Sequence, residues 1–246
     1  VLTNTKFQFV KTEDGSLTAR IGAPDAPMED CSEAMHSLRG AFSETMYIYG
    51  TAIQKAADEK APEPVLSMGL GLGYVELLAT AIALKAKRHV RGESFEIVPE
   101  LRHYFEAWLA KTDQLPRDFA TTYDSILTRT ADAIGVDAHE VKTALAKAVE
   151  SGHWLIRNEL TATTEFKEKF GCICFDAFSS KTTPDLWTED FLRAFLQKTA
   201  SPQCVLSTYA CTGALKRALK AEGFEVKIRE GFSSKRDSTF AFRISI

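Results

Sequence analysis

Val65-Leu66-Ser67-Met68-Gly69-Leu70-Gly71-Leu72-Gly73-Tyr74 is the stretch that decides the fold. A short apolar run enters Gly-x-Gly-x-Gly, and an apolar helical pattern from Val75 to Lys85 follows. Glycine has no Cβ, so such a turn lets the backbone come close to a ligand. The helix that opens next presents unpaired N–H groups to a polar or anionic group. The phrase therefore predicts a strand, a turn and a helix that hold a nucleotide-like ligand. Dinucleotide-binding turns place their third glycine where Tyr74 stands here, which argues against a nicotinamide cofactor.

Outward from this turn, strand and helix signals alternate. Phe7–Val10 and Leu17–Ile21 flank Asp14-Gly15 as a β-hairpin. A helical pattern from Ala41 to Lys60 stops at Ala61-Pro62-Glu63-Pro64. After the glycine turn come a strand over His89–Ile97 and a helix from Pro99 to Lys111. Residues 117–151 read as two helical pieces, and strands return at Trp154–Ile156 and Cys172–Phe175. A helix over Leu186–Lys198 with Thr188 as a candidate N-cap follows. Then come a strand at Val205–Thr208, a helix at Gly213–Ala221 and strands at Phe224–Arg229 and Ser238–Ile244. This alternation predicts an α/β, Rossmann-like fold: a mostly parallel, doubly wound sheet of seven strands with an antiparallel edge strand. We expect an N-terminal hairpin and helix extension over residues 1–62 and one globular domain over 63–246.

Ligands in such sheets bind outside the carboxyl ends of the strands. Those ends fall at Gly69–Tyr74, Glu96, Arg157–Glu159 and Asp176–Lys181. Glu96 lies 27 residues after Gly69, where a carboxylate can accept hydrogen bonds from both ribose hydroxyls. Asn158 or Glu159, at the end of the third strand of the domain, can reach an adenine amino group.

Composition bounds the function classes. The 246 residues carry a net charge of −3, which excludes a wholly basic nucleic-acid binder. Residues 212–246 hold eight basic and four acidic side chains, so this region is +4 and the remainder −7. A basic C-terminal region can meet phosphates, although a solvated helix and strand face produces the same count. No apolar run approaches the roughly 18 residues of a membrane span, and no leader pattern opens the chain, so a cytoplasmic protein is expected. The five scattered cysteines read as reduced core thiols. Cys172-Ile173-Cys174 sits in an apolar run without a partner pair at metal-binding spacing, so no metal is expected.

Three further phrases narrow the reading: Met35 to Thr45, Asp176 to Trp187 (DAFSSKTTPDLW) and Glu230 to Arg236 (EGFSSKR). Taken in order around the glycine turn, they resemble the MnmC-type methyltransferases over residues 33–243. The resemblance implies a Rossmann-like S-adenosylmethionine methyltransferase that methylates the 5-aminomethyl group of the tRNA wobble uridine. It also implies a separate flavin-dependent oxidase upstream in the pathway, since nothing in this chain resembles such a domain. It points to Gly69, Gly71, Gly73, Glu96, Glu44 and Asn158 as cofactor contacts. Ser67 stands where these enzymes carry an acid, and Glu44 can compensate for it. Asp176 is the candidate to orient the amine and take its proton. Phe178 and Trp187 are expected to frame the base or the cofactor, and Lys181, Lys235 and Arg236 to hold RNA phosphates or the uridine. The alternatives are a methyltransferase of the same fold acting on a small amine or a protein, and a non-catalytic RNA-binding protein.

Overall fold

The computed structural model describes residues 5–22, 34–176, 184–234 and 237–243. Strands β1 (Lys6–Lys11) and β2 (Leu17–Gly22) form an antiparallel hairpin around Asp14-Gly15. The helical stretch before the sheet is α1 (Ala41–Thr45), a π-helical turn (Met46–Gly50) and α2 (Thr51–Asp58). The domain then runs β3 (Val65–Met68), α3 (Tyr74–Lys85), β4 (Gly92–Phe95), α4 (Pro99–Ala110), α5 (Arg117–Ile134), α6 (Ala138–Glu150) and β5 (Trp154–Arg157). It continues with β6 (Phe170–Phe175), α7 (Glu189–Thr199), β7 (Ala200–Thr208), α8 (Gly213–Ala221), β8 (Glu225–Arg229) and β9 (Ser238–Arg243). Thr188 caps α7 as its sequence suggests, its hydroxyl accepting the Phe191 N–H at 3.3 Å.

The seven strands are ordered β5-β4-β3-β6-β7-β9-β8. Strands β5, β4, β3, β6 and β7 are parallel, and β9 is antiparallel to both of its neighbours. The antiparallel strand expected at the edge therefore lies one place in. The β8–β9 hairpin folds back so that β9 enters between β7 and β8, and β8 becomes the edge. From β3 the chain moves outward to β5 and then crosses to β6, so the order reverses between β3 and β6. That reversal opens the crevice where such sheets bind ligands.

Side-chain alternation along the strands divides the core in two. Val65, Cys172, Cys174, Val205 and Phe240 face α3 and the helices around it. Leu66, Met68, Ile173, Phe175, Leu206 and Ala241 face α7 and α8. Cys172 and Cys174 are fully buried free thiols within this packing. Among the described residues no cluster of His, Cys, Asp or Glu could hold a metal ion, and no helix is long and apolar enough to cross a membrane.

The two helices from residues 117–151 form a layer over α3 and α4. Helix α3 is apolar on every face, with Tyr74 through Ile82 all buried, so it needs cover on the side away from the sheet. Phe119 of α5 meets Phe7, Phe9 and Tyr104 at ring separations of 5.0, 4.9 and 4.7 Å, joining hairpin, α4 and α5. The hairpin is pinned again by Asp14, whose carboxylate accepts the Ser43 N–H at 3.0 Å and the Ser43 hydroxyl at 2.6 Å. Tyr74, where a dinucleotide binder has its third glycine, anchors the hairpin by donating to the Leu17 carbonyl at 2.6 Å.

Candidate active site

The three turn glycines all have left-handed backbone, with φ of 103° at Gly69, 51° at Gly71 and 76° at Gly73. Each lacks its Cβ for a different reason. A Cβ on Gly69 would lie 3.0 Å from the Asp176 carbonyl oxygen, so this glycine lets the ends of β3 and β6 close together. A Cβ on Gly73 would lie 2.2 Å from the Phe105 ring, so this one seats α3 against α4. Around Gly71 the only atom within 4 Å of such a Cβ, among the described residues, is the Met35 sulfur at 3.8 Å.

Glu96 follows β4 directly and is 6 % exposed. Its Oε2 accepts the Gly71 N–H and its Oε1 the Val98 N–H, both at 2.9 Å. Burial raises its pKa, opposed by those two N–H groups and the Arg102 guanidinium. A carboxylate has about four lone-pair sites, so two remain for a pair of vicinal hydroxyls. The Glu96 N–H donates to the Arg157 and Asn158 carbonyls at 3.0 Å, which brings exposed Asn158 beside it.

Glu44 is buried in α1, and its Oε2 accepts the Ser37 N–H at 2.6 Å. It thereby ties down the loop that carries Met35 over Gly71. Asp176 closes β6, its N–H donating to the Met68 carbonyl at 3.0 Å. Gly69, Gly71, Glu96, Asn158 and Asp176 thus share one edge of the sheet, at the reversal between β3 and β6. Glu44 reaches that edge through the loop it holds. Gly73 belongs to helix packing behind it. Phe178, Lys181, Lys235 and Arg236 lie outside the described residues.

Three residues here escaped sequence reasoning. Glu76, in the first turn of α3, is wholly buried. Its Oε1 accepts the Ser94 hydroxyl at 2.7 Å, and Ser94 in turn accepts the Trp154 indole N–H at 2.9 Å. Ser94 is the cross-strand neighbour of Ser67, so a carboxylate from α3 lies buried beneath β3 and β4 beside that position. Burial pushes the Glu76 carboxyl up to about 7; the Ser94 and Ser67 hydroxyls oppose this and the Glu96 charge adds to it. A lone acid in an otherwise apolar helix was the available signal. Tyr49, on the π-helical turn, lies near Asp176 and Cys174, and Tyr209, just after β7, lies near Tyr49. Nothing in their spacing marked them.

A glycine turn opening a helix, a carboxylate just after the next strand and an acid across the sheet reversal make this edge a candidate nucleoside-cofactor site. Residues 133–243 match the family described as S-adenosyl-L-methionine-dependent methyltransferase. That match takes in Asn158 and Asp176 and leaves out the glycine turn. Over that segment the chain is similar to S-adenosylmethionine-dependent methyltransferases, and the relatives it resembles include MnmC proteins.

The chain is 25% identical to an uncharacterized protein of Methanocaldococcus jannaschii over 96% of its own length and 59% of that protein's. It is 26% identical to the tRNA 5-methylaminomethyl-2-thiouridine biosynthesis bifunctional protein MnmC of Paraburkholderia xenovorans, over 87% of its length and 32% of that protein's. The crystal structure of MNMC2 from Aquifex aeolicus shares the fold, with a TM-score of 0.63 at 22% identity, covering 96% of this chain and 70% of that one.

Proposed function

We propose that this chain methylates the primary amine of a 5-aminomethyl group on the wobble uridine of tRNA. The observation that carries the chemistry is the placement of Asp176 against Gly69 at the sheet reversal. The product named for the Paraburkholderia relative supports the acceptor. In this reading Glu96 takes the ribose hydroxyls and the backbone at Gly69 and Gly71 lies along the cofactor. Glu44 supports the loop near its amino-acid end, and Asn158 meets the adenine. Bound S-adenosylmethionine supplies a methyl group on a sulfonium, already a good leaving group.

The protein then has to align the acceptor and manage one proton. The attacking nitrogen must be neutral, and Asp176 orients it and takes the proton it sheds. Phe178, Lys181, Lys235 and Arg236 complete the acceptor side, and a flavin-dependent oxidase activity supplies the aminomethyl group. Asp176→Asn is expected to keep S-adenosylmethionine affinity by calorimetry and to lose about a hundredfold or more in methyl transfer to tRNA bearing 5-aminomethyl-2-thiouridine. Full single-turnover rate in that variant would remove Asp176 from the reaction. Transfer that ignores the aminomethyl group would remove the acceptor.

One observation favours a second reading, a small amine or protein acceptor. Several C-terminal cations are engaged within the protein. Arg243 donates to the carbonyls of Ala200, Ser201 and Glu222, and Arg229 to those of Tyr47 and Ile48. Arg217 pairs with Glu189, and Lys227 with Glu225. If RNA is the substrate, its affinity falls steeply with salt, and Lys235→Ala with Arg236→Ala weakens it further. Affinity indifferent to salt would favour the second reading.

A further inference from the structure

The helix before the sheet widens into a π turn at Met46–Gly50, and the surroundings hold it in that shape. The Tyr47 carbonyl accepts the Thr51 hydroxyl at 2.9 Å and Arg229 Nη1 at 3.3 Å. The Ile48 carbonyl accepts the Ser207 hydroxyl at 2.5 Å and Arg229 Nη2 at 3.3 Å. Arg229 also donates to Thr51 Oγ1 at 2.8 Å and Ser207 Oγ at 2.9 Å, and its guanidinium lies over the Tyr47 and Phe240 rings. Gly50 lets the turn sit close to α3, since a Cβ there would meet Leu78 Cδ2 at 3.2 Å.

The side chain this bracing aims inward is Tyr49. It is 4 % exposed, and its hydroxyl is buried without a partner at full hydrogen-bond geometry. The groups that face it are Asp176 beyond β6, Cys174 on β6 and Tyr209 beyond β7. Of these, Asp176 offers the carboxylate that can accept from it. Burial first, then the Asp176 charge and hydrogen bond, push the phenol well above its ordinary pKa, so the hydroxyl keeps its proton. A buried hydroxyl left without an acceptor is costly, and catalytic hydrogen bonds commonly tighten only when substrate is bound.

We propose that Tyr49 is a positioning residue for Asp176: its hydroxyl donates to the Asp176 carboxylate, fixes the oxygen that faces the acceptor amine and favours the ionised form. The proposal rests on Asp176 being the proton acceptor of the methyl transfer. It adds a residue from outside the strand ends, delivered by a helix irregularity.

The test is a carbon-13 NMR titration of the Asp176 carboxyl, assigned by its loss in Asp176→Asn. Tyr49→Phe is expected to move the midpoint up. Tyr49→3-fluorotyrosine, which keeps the hydroxyl and strengthens it as a donor, is expected to move it down. In methyl transfer to tRNA bearing 5-aminomethyl-2-thiouridine, Tyr49→Phe is expected to lower kcat about tenfold with S-adenosylmethionine affinity retained, and to shift the acid limb of the pH profile upward. A midpoint unmoved by both variants overturns the role of Tyr49. An active Asp176→Asn variant overturns the proton-acceptor reading instead, and the titration reports separately on the hydrogen bond. Should Tyr49→Phe fold poorly, the fluorotyrosine protein decides alone, because it removes no atom from the packing.

Discussion

Glu76 shows how much one side chain can set at a buried position. Its carboxyl is raised from 4.5 to about 7, so the folded state holds the proton more tightly than the unfolded chain does. Between these two values the folded state has the extra proton, and stability falls as pH rises through the window. The full effect is roughly 3 kcal/mol, lost between pH 4.5 and 7 and constant above. Glu76→Gln removes the ionisation while keeping an acceptor for Ser94 and a donor for Ser67. Its melting temperature is expected to gain on that of the unmodified protein as pH rises from 5 to 8. Parallel curves would show that Glu76 does not ionise in this window. The absence of an acid at position 67 was legible in the sequence, but the buried carboxylate of Glu76 beside it was not. Glu76 lies one helical turn along a different element, and only the packing of α3 on β3 and β4 brings it to Ser94.

Elements were legible wherever periodicity and punctuation agreed. The hairpin, the glycine turn and the cap at Thr188 all follow from local chemistry. The π turn does not, because Met46–Gly50 continues the helical pattern on either side and its widening is imposed by Arg229 and Ser207 from the far end of the chain. Arg229→Ala strips donors from two carbonyls and two hydroxyls and is expected to cost roughly 2–4 kcal/mol, with Arg229→Lys between. Denaturant midpoints measure both, and a cost below about 0.5 kcal/mol for Arg229→Ala would show that the turn holds itself. Glycines separate local strain from packing in the same way. Gly73 and Gly135 have nearly equal φ, 76° and 78°, but a Cβ on Gly135 would meet nothing within 4 Å among the described residues. Gly135→Ala is therefore expected to cost about 1 kcal/mol from backbone strain alone. Gly73→Ala adds overlap with Phe105 and is expected to exceed that by about 1–3 kcal/mol in thermal unfolding. Equal costs would mean Phe105 moves aside freely.

At the scale of the whole molecule, the hairpin, α4 and α5 are joined through one aromatic cluster around Phe119. Phe119→Ala is expected to cost about 3–5 kcal/mol and to speed amide exchange in β1 and β2 more than in β6 and β7. Uniform acceleration across the sheet would show that the hairpin does not respond separately. This cluster was hidden from the sequence because its members come from three elements far apart in the chain. The parallel order of the sheet was visible in the alternation of strands and helices. The interior position of β9 was not, since a hairpin's hydrogen-bonding partners outside itself leave no local mark. That position has a consequence for synthesis on the ribosome. Strand β9 follows every other strand of the sheet in the chain, yet it occupies a slot between two of them. Until Ser238–Arg243 has emerged, β8 has no place to dock, and the nine residues of β7 present a mostly buried-type sequence along an open edge. A nascent chain stalled before residue 238 therefore exposes the surface on which sheets aggregate, and it becomes the stage at which a holding chaperone has the most to bind.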